Sequence, residues 1–358
     1  MNNHFPTNYW HRLSDGRVQC DLCPRYCHIK EGKQGFCYVR GNHHGALVLN
    51  TYGRSSGFCI DPIEKKPLNH FLPGTPVFSF GTAGCNLACQ FCQNWDISKS
   101  RETDTLAESA SPQAIAKTAQ KMGCRSVAYT YNDPVIFHEY AIDVAQACSA
   151  LGIKSVAVTA GYVCERPREE FYRHMDAANI DLKSFNEGFY YKLTGAHLQP
   201  VLDTLVYLKS ETSVWFEVTT LLIPGENDSN QEIDAMTQWV VDKLGPDVPM
   251  HFTAFHPDWK MRDYPPTPHA SLSRARKIAI SNGVRYAYVG NVHDVDESST
   301  WCYHCGHRLI QRDWYELGAW GLTHDGACEK CGTTLPGLFE ERPGEWGSRR
   351  VAVRNVRY

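Results

Sequence analysis

Three cysteines fall close together in the stretch Gly84-Cys85-Asn86-Leu87-Ala88-Cys89-Gln90-Phe91-Cys92, with the spacing C-x3-C-x2-C. The stretch follows the apolar residues 77–80, which are predicted to form a buried β-strand. Three thiolates can bind three irons of a [4Fe-4S] cluster and leave the fourth iron open, whereas four cysteines would close the cluster. The alternatives are buried thiols that only pack the core and a zinc site without a local fourth ligand. The spacing and its context favour the cluster.

Composition limits the class of protein. The chain has 358 residues and a net charge of -3, so it has no global basic field that would attract nucleic acid or an anionic membrane. No apolar run approaches the ~20 residues that span a bilayer, and residues 1–10 lack the apolar segment of a signal peptide. These features predict a cytoplasmic protein without a membrane partner. The fifteen cysteines then indicate metal sites and reduced thiols, not disulfides.

Short apolar segments alternate with helical patterns between residues 77 and 289. This alternation predicts an α/β fold with a parallel sheet and helices outside it. Six or seven units are too few for a closed eight-stranded barrel, so we expect a partial (β/α)6-type parallel barrel. The predicted strands are 77–80, 126–131, 155–159, 179–182, 214–219, 250–255 and 286–289. The predicted helices are 112–122, 134–151, 168–177, 200–210, 230–244 and 271–282, with Ser111 and Asp133 as N-caps before Pro112 and Pro134.

A second group of cysteines lies near the N-terminus, with the spacing C-x2-C-x3-C-x9-C. It predicts a site for zinc or a second iron-sulfur cluster, and the alternative is a small module packed by unligated thiols. We expect a Cys-rich module at 1–70, a core at 71–297 and a C-terminal module at 298–358. The polar, proline-rich segment from Ile60 to Pro73 is predicted to be a solvated connector. The alternative is that Lys65, Lys66 and His70 line a route to the active site. The cysteines of this second group are Cys20, Cys23, Cys27 and Cys37.

A third group forms two Cys-x2-Cys knuckles, each followed by a glycine. Four thiolates in this pattern indicate a zinc-ribbon-like module with a closed tetrahedral site. Disulfides or free thiols are the alternatives, and iron would use the same ligands. The ligands of this group are Cys302, Cys305, Cys328 and Cys331. Four scattered cysteines are expected to be small buried hydrophobic residues, namely Cys59, Cys124, Cys148 and Cys164.

The triad Cys85, Cys89 and Cys92, with Phe91 before its last cysteine, resembles the signature of the radical S-adenosylmethionine (radical SAM) enzymes. The resemblance implies that SAM binds the open iron through its amino and carboxylate groups. It also implies reductive cleavage of SAM to methionine and a 5'-deoxyadenosyl radical.

Residues at the predicted carboxyl ends of later strands extend this resemblance to the pyruvate formate-lyase activating enzymes, over about residues 70 to 295. It rests on the triad, on Asp181-Leu182-Lys183, on Pro224-Gly225-x-x-Asp228 and on His256. The activating enzymes place the Asp-x-Lys strand and the later histidine around SAM, which implies such roles for Asp181, Lys183 and His256.

Three points at these strand ends remain open. The segment 132–134, Asn-Asp-Pro, departs from the Gly-Gly-Glu that binds the SAM amino group in the activating enzymes. Asn132 therefore matches that motif in position only. A helix cap by Asp133 explains the segment equally well. Lys183 is predicted to neutralise the SAM carboxylate while Asp181 tunes it, and a solvated ion pair is the alternative. His256 is as well explained by a structural role. Asn291 is expected to contact adenine or ribose.

A narrower resemblance covers the whole chain. The segments 20–27, 32–37, 61–71, 131–134 and 288–292 are similar to the radical SAM member of the AmmeMemoRadiSam system. This resemblance does not name a substrate.

We therefore predict a radical SAM oxidoreductase that abstracts hydrogen from an unidentified protein or small-molecule substrate and takes electrons from a donor such as flavodoxin or ferredoxin. The alternative is an RNA-modifying radical SAM protein that reads nucleic acid with the zinc ribbon and the basic tail, although the charge makes nucleic acid the less favoured partner. A plain electron carrier would need a fourth cysteine beside the triad, and none is near. The tail carries Arg342, Arg349, Arg350, Arg354 and Arg357.

Overall fold

The computed structural model describes residues 4–99, 108–354 and 356. Within these residues the chain forms one sheet of nine strands and four smaller sheets. Seven strands of the large sheet run parallel and follow each other in chain order, so the sheet curves into a partial barrel. They are β9 (Pro76–Phe80), β11 (Ser126–Tyr129), β12 (Lys154–Thr159), β13 (Ala177–Asp181), β14 (Trp215–Leu222), β15 (Met250–Ala254) and β16 (Ala287–Gly290). The predicted fold class is confirmed.

Helices connect these parallel strands, as the alternating pattern predicts. Ser111 and Asp133 cap their helices by accepting the N–H groups of Ala114 and Val135, respectively. One predicted helix, 168–177, is wrong in its bounds, because Ala177 already begins β13. The connecting helices are α2 (Pro112–Lys121), α3 (His138–Ser149, after a 3-10 turn Pro134–Phe137), α4 (Glu165–Tyr172), α6 (Gln199–Glu211), α7 (Asn230–Leu244) and α8 (His269–Ser281).

Two further strands extend the sheet at β9. Strand β8 (Phe58–Pro62) pairs antiparallel with β9, and β20 (Val351–Val353) pairs antiparallel with β8. Both lie outside the core boundaries expected from the sequence, 71–297. The segments on either side of the barrel thus add strands to its sheet and do not form wholly separate modules.

The remaining elements are short. Among the described residues, the N-terminal part contains two three-stranded sheets, and residues 300–320 form a third. These strands are β1 (Phe5–Pro6), β2 (Trp10–Arg12), β3 (Val18–Cys20), β4 (His28–Ile29), β5 (Arg40–His43), β6 (Ala46–Leu49), β17 (Thr300–Trp301), β18 (Arg308–Asp313) and β19 (Glu316–Trp320). Strands β7 (Arg54–Ser55) and β10 (Glu108–Ser109) pair with each other. The short helices are α1 (Trp95–Ser98), α5 (Glu187–Phe189), with a π turn Tyr190–Thr194, and α9 (Val295–Ser298).

The concave face of the sheet is filled by the segment 63–72, which we call the plug. Its apolar side chains Ile63, Leu68 and Phe71 are fully buried against one face of the strands. The strand residues on that face are Val77, Ala128, Val156 and Ala177. Alternate strand residues face the helices instead. The expectation of a solvated connector over Ile60–Pro73 is therefore wrong, because the inside of a partial barrel needs apolar filling that the small strand residues do not supply.

Buried polar side chains of the strands hold the backbone of the plug. The carboxylate of Glu217 accepts the N–H groups of Asn69, at 2.9 Å, and His70, at 2.7 Å, and pairs with the His251 ring at 2.6 Å. Asn179 donates to the Pro67 carbonyl at 2.9 Å. These bonds satisfy backbone groups that would otherwise be buried without partners.

His70 serves the structure and not the route to the active site. Its ring bonds the Tyr288 hydroxyl at 2.5 Å and the Pro336 carbonyl at 2.7 Å. Nearby, the buried Arg312 donates to the Asn69 carbonyl and to Thr300. The plug thus ties β16 and the C-terminal module to the barrel.

Across the described residues, none of the helices combines the length and the apolar character required to cross a membrane.

Glu217→Gln tests the plug. Burial alone would raise the pKa of Glu217, but the His251 contact and the backbone N–H groups lower it from 4.5 to about 2. The carboxylate therefore stabilises the fold above pH 4.5, and this stabilisation is lost as the pH falls toward 2. We expect Glu217→Gln to lose about 3 kcal/mol or more of unfolding free energy at pH 7, measured by urea denaturation.

The exposed Glu211→Gln at the end of α6 is the matched control and should behave as wild type. A deficit for Glu217→Gln that does not shrink below pH 4.5 would contradict this role for the carboxylate.

Candidate active site

A cavity of about 790 Å³ opens at the carboxyl ends of the parallel strands, above the plug. Parallel sheets place their ligand sites at this edge. Strand ends and following loops supply its walls, and the plug supplies part of its floor through Lys65, Lys66 and Pro67. The strand-end residues that line it include Thr130, Val158, Asp181, Thr219 and Thr253. Its volume lies within the ~300–1,000 Å³ of typical ligand pockets.

The three cysteines Cys85, Cys89 and Cys92 all line this cavity, in the loop after β9. The side-chain amide of Asn132 holds the start of the loop by donating to the carbonyls of Thr82, at 2.7 Å, and Gly84, at 2.8 Å. Further bonds to the loop backbone come from the segment 193–194 and from the Lys99 ammonium. The loop is therefore fixed by side chains and backbone that lie far apart in the sequence.

Glycines allow the close approaches on which this loop depends. A methyl group on Gly84, whose φ is +80°, would come within 2.0 Å of the Cys37 carbonyl oxygen. One on Gly81 would come within 2.3 Å of the Thr130 carbonyl oxygen. Neither position tolerates a larger residue.

The spacing of the sulfurs separates two kinds of cysteine site. Among the described residues, the groups of three or more possible ligands whose donor atoms all lie within 4.8 Å of one another are the four C-terminal cysteines and the surface set His269, Asp294 and Glu297. The triad is not among them. At least two of its sulfurs thus lie more than 4.8 Å apart, whereas one tetrahedral ion needs sulfurs about 3.8 Å apart.

Asp181 and Lys183 meet at the carboxyl end of β13 and line the cavity, as the sequence predicts. The Lys183 ammonium lies 2.7 Å from the Asp181 carboxylate and 5.9 Å from the centre of the Phe91 ring. The Lys183 side chain is 14% exposed and that of Asp181 is 35% exposed, so the ion pair is partly shielded from solvent. Burial alone would lower the pKa of Lys183, but the charge of Asp181 outweighs it and keeps the pKa above its ordinary value.

Asn132 and Asp133 are both engaged by the protein. Asn132 lines the cavity, but its amide binds the triad loop. The buried Asp133 carboxylate accepts N–H groups from Val135 and Ala160 and the hydroxyl of Thr159. These two side chains thus position the ends of β9, β11 and β12 relative to one another.

Asn291 and His256 have different locations. Asn291 lines the cavity in a left-handed conformation, with φ of +59°, and its amide donates to the Ala254 carbonyl at 3.1 Å. His256 is 78% exposed beside Asp258 and is not among the residues that line the cavity. The loop after β15 turns its side chain outward, so the structure does not place His256 with the other predicted residues.

Sequence reasoning missed a charged cluster on the cavity floor, centred on the fully buried Asp61. Its carboxylate lies 2.9 Å from Lys65, 2.7 Å from Lys66, 3.9 Å from Arg350, and accepts the Tyr131 hydroxyl at 2.8 Å. Burial lowers the pKa of Lys66 to about 8, although Asp61 opposes the change. Three cations thus surround one carboxylate. The resemblance of the segment 61–71 to a known family was the available signal.

Tyr131 belongs to the same cluster and has a φ of +71°, an unusual conformation for a bulky residue. Such backbone strain is concentrated at functional sites. The strained turn directs the Tyr131 phenol toward Asp61 at the cavity.

The basic tail and the scattered cysteines depart from expectation. Arg350 and Arg354 line the cavity, Arg349 packs on the ring of Trp346, and Arg357 lies outside the described residues. The tail arginines therefore do not form one basic face. Cys124 and Cys148 are buried as predicted, Cys164 is partly exposed, and Cys59 lines the cavity beside Arg350.

The C-terminal cysteines form a compact group on the three-stranded sheet β17–β19. The sulfurs of Cys302 and Cys331 are 3.6 Å apart, and those of Cys305 and Cys328 are 3.7 Å apart. These distances match the edges of a tetrahedral zinc-thiolate site. The donor set thus fits one metal ion, and the module packs on Tyr286 and Tyr288 at β16.

The N-terminal cysteines differ from the C-terminal group in the spacing of their sulfurs. All four line one small cavity that also touches the triad loop at Asn86. Their sulfurs do not form a compact group like that of the C-terminal module.

One family and several known proteins are similar to this chain. The family described as the Radical SAM superfamily matches residues 80–237. An uncharacterized protein of Methanocaldococcus jannaschii is 40% identical over 323 residues, 90% of this chain and 95% of the relative. A pyruvate formate-lyase-activating enzyme of Listeria monocytogenes is 25% identical over 166 residues, 44% of this chain and 66% of the relative.

Two solved structures also align with parts of this chain. A radical SAM methyltransferase from Sphaerobacter thermophilus aligns with a TM-score of 0.49 and 13% identity, over 81% of this chain and 77% of that one. A domain of a pyruvate-formate lyase-activating enzyme from Bacteroides vulgatus aligns with a TM-score of 0.41 and 17% identity, over 46% of this chain and 99% of that one.

The family match covers the triad, Asp181 and Lys183, which line one cavity at the carboxyl edge of the sheet. The superfamily implies a [4Fe-4S] cluster and SAM, and the Listeria activating enzyme is homologous over 44% of this chain. Residues 80–237 form a radical SAM domain, and the protein is an enzyme of radical chemistry.

Proposed function

We propose that Cys85, Cys89 and Cys92 bind a [4Fe-4S] cluster, and that the substrate loses a hydrogen atom in the cavity beside it. The cluster and SAM together supply a 5'-deoxyadenosyl radical when an electron is delivered. The observation that carries the proposal is the wide triad of thiols on a cavity that is also lined by the partly buried Asp181–Lys183 pair.

Lys183 is proposed to bind the SAM carboxylate. An ammonium has three donors, and Asp181 uses one of them, so two remain for a ligand. Asp181 keeps the lysine protonated and directs it along the cavity wall, because its charge outweighs the effect of burial on the pKa of Lys183. The pair thus holds an anionic group in a site that is mostly removed from water.

Other residues along the wall are proposed to bind the nucleoside part of SAM. Thr219 and Thr253 line the cavity, and Asn291 lies at the end of the next strand. The amide of Asn291 donates to Ala254 and leaves its carbonyl oxygen for adenine or ribose. Asn132 is proposed to act through the triad loop, which its amide binds.

The substrate is proposed to carry an anionic group. Lys65, Lys66 and Arg350 surround the single carboxylate of Asp61 at the cavity floor, so two positive charges remain without a counter-charge in that cluster. Partly buried cations attract carboxylates and phosphates more strongly than exposed ones do. A protein substrate, as the names of the activating enzymes suggest, and a small acid are both compatible with this chemistry.

The proposal also includes a second metal ion and an electron donor. We propose that the C-terminal cysteines bind one structural zinc ion, since four thiolates at tetrahedral spacing leave no position for a substrate. The electron donor is proposed to be a flavodoxin or ferredoxin. The more specific assignment to the AmmeMemoRadiSam system stays a prediction.

Two cysteine variants test the two metal sites against each other. We expect Cys89→Ala to lose the iron of the triad and all cleavage of SAM to 5'-deoxyadenosine but to keep its zinc, because the zinc ligands are remote in sequence and lie in another module. Cys328→Ala should lose the zinc and keep the iron of the triad. Iron, zinc and 5'-deoxyadenosine are measured on the same anaerobic sample.

The buried Cys124→Ala is the matched control and should retain both metals. Full SAM cleavage by Cys89→Ala would refute the assignment of the triad.

Lys183→Met tests the carboxylate site. Because a charged hydrogen bond contributes ~1.5–3 kcal/mol, we expect the Kd for SAM to rise by about 10- to 100-fold. Calorimetry on the reconstituted protein measures it, and Lys183→Arg should recover part of the affinity since it restores the charge. An unchanged Kd in Lys183→Met would remove Lys183 from the SAM site.

Matched substrate pairs test the anionic group. Deuterated carboxylates or phosphate esters should transfer deuterium into 5'-deoxyadenosine, whereas their neutral amides or unphosphorylated forms should not, because only the charged forms pair with Lys65, Lys66 and Arg350. Mass spectrometry of 5'-deoxyadenosine measures the transfer. Equal transfer from the neutral and charged members of each pair would contradict the proposal.

A further inference from the structure

The four N-terminal cysteines share one small cavity. Sequence separates Cys20 from Cys37 by 17 positions, yet β3, β4 and the loop before β5 bring both to the same walls. The rest of the lining combines the aliphatic residues Leu22, Ile29, Val135 and Ile136 with Gly35, Arg25, Arg40 and Asn86. The distinguishing chemistry of the cavity is its four thiols.

The spacing of these thiols differs from that of the C-terminal group. The C-terminal sulfurs pair at 3.6 and 3.7 Å and all lie within 4.8 Å of one another. Within the described residues, no three of the N-terminal sulfurs meet that limit, and neither do the three sulfurs of the triad. A single tetrahedral ion requires sulfurs about 3.8 Å apart. Four thiols that surround a common cavity at wider spacing suit a polynuclear core.

Burial disfavours negative charge on these sulfurs and raises the pKa of Cys20, Cys23 and Cys37. The backbone N–H groups of Leu22, Arg25 and Val39 oppose this change, since each interacts with the sulfur of the cysteine two positions earlier. The triad repeats the arrangement, since the N–H of Leu87 donates to the Cys85 sulfur at 3.4 Å. Hydrogen bonds to the sulfurs are a feature of iron-sulfur ligation and tune the potential of the cluster.

A buried cation adds to this effect. Arg40 lines the cavity, is 1% exposed and lies near Cys20 and Cys37. Its guanidinium also pairs with Glu139 and donates to the Ile136 carbonyl at 3.0 Å, so it is held in place. A fixed guanidinium offsets part of the charge of four thiolates.

The N-terminal site adjoins the triad. Asn86, which follows Cys85, lines the N-terminal cavity. The Arg25 guanidinium donates to the Asn86 carbonyl, and the Cys37 carbonyl packs against Gly84. The chain from Cys85 to Asn86 therefore connects the walls of the two sites directly.

We propose that Cys20, Cys23, Cys27 and Cys37 bind a second [4Fe-4S] cluster, which delivers electrons to the cluster of the triad. All four irons have protein ligands, so this cluster has no open position for SAM. A one-electron donor of the flavodoxin or ferredoxin class reduces it from the 2+ to the 1+ state. It returns to 2+ as the triad cluster takes the electron, and no bond changes in this transfer. The electron then breaks the C5'–S bond of SAM, which yields methionine and the radical.

The site is tested in the full chain with the triad removed. Cys85→Ala/Cys89→Ala/Cys92→Ala, reconstituted anaerobically, should keep about four irons and four sulfides, against about eight of each in wild type. Its reduced EPR signal should be that of a [4Fe-4S] cluster and should not respond to SAM. Retention of zinc in place of iron, or of neither metal at the N-terminal cysteines, would overturn the proposal.

The reciprocal variant Cys27→Ala/Cys37→Ala should keep about four irons, with an EPR signal that SAM does perturb. The nearby Cys164→Ala, whose side chain does not line the cavity, is the matched control and should keep about eight irons. Wild-type iron content in Cys27→Ala/Cys37→Ala would also overturn the site.

The relay rests on the proposed function and has its own measurement. In Cys27→Ala/Cys37→Ala we expect loss of rapid reduction of the triad cluster by flavodoxin, while the small reductant dithionite still produces the SAM-sensitive signal. Unchanged reduction by flavodoxin would overturn the relay but not the site. If the triad binds no cluster at all, the SAM-sensitive signal is missing from wild type, which separates failure of the proposed function from failure of this inference.

Discussion

The carboxylate of Glu217 and the two backbone N–H groups that it binds, those of Asn69 and His70, determine how the barrel is filled. An incomplete barrel of small-residue strands has a concave face that must be covered without leaving backbone groups unpaired. The plug meets both needs, because its apolar side chains pack on the strands and the strand polar groups bind its backbone. Since the plug fills only the lower part of the concave face, the cavity above it remains open.

The cavity owes its chemistry to loops that are held by residues from distant parts of the chain. Asn132 binds the triad loop, Asp133 joins the ends of two strands, and Gly84 admits the Cys37 carbonyl. These contacts use side chains that sequence patterns assign equally well to SAM binding or to helix capping. Asn132 and Asp133 are engaged by these contacts, whereas Lys183 and Asp181 pair with each other and line the cavity.

The three cysteine groups of the chain differ in the spacing of their sulfurs. The C-terminal sulfurs approach to 3.6 and 3.7 Å, as the edges of a tetrahedron require. The triad and the N-terminal group present their sulfurs around cavities at wider spacing. All three use thiolates, so ligand type alone does not distinguish them. The distance between sulfurs decides whether an ion or an inorganic core fits.

The sequence by itself determined the strand-helix alternation, the triad, the Asp181–Lys183 pair and the C-terminal knuckles. Each of these depends on neighbours a few residues apart, where periodicity and spacing translate directly into geometry. Tertiary structure alone decided that the segment 63–72 enters the barrel, that Tyr131, Arg350 and Asp61 meet on the cavity floor, and that His256 turns away. Those outcomes depend on packing between segments that are separated by tens to hundreds of residues, and local patterns carry no information about such contacts.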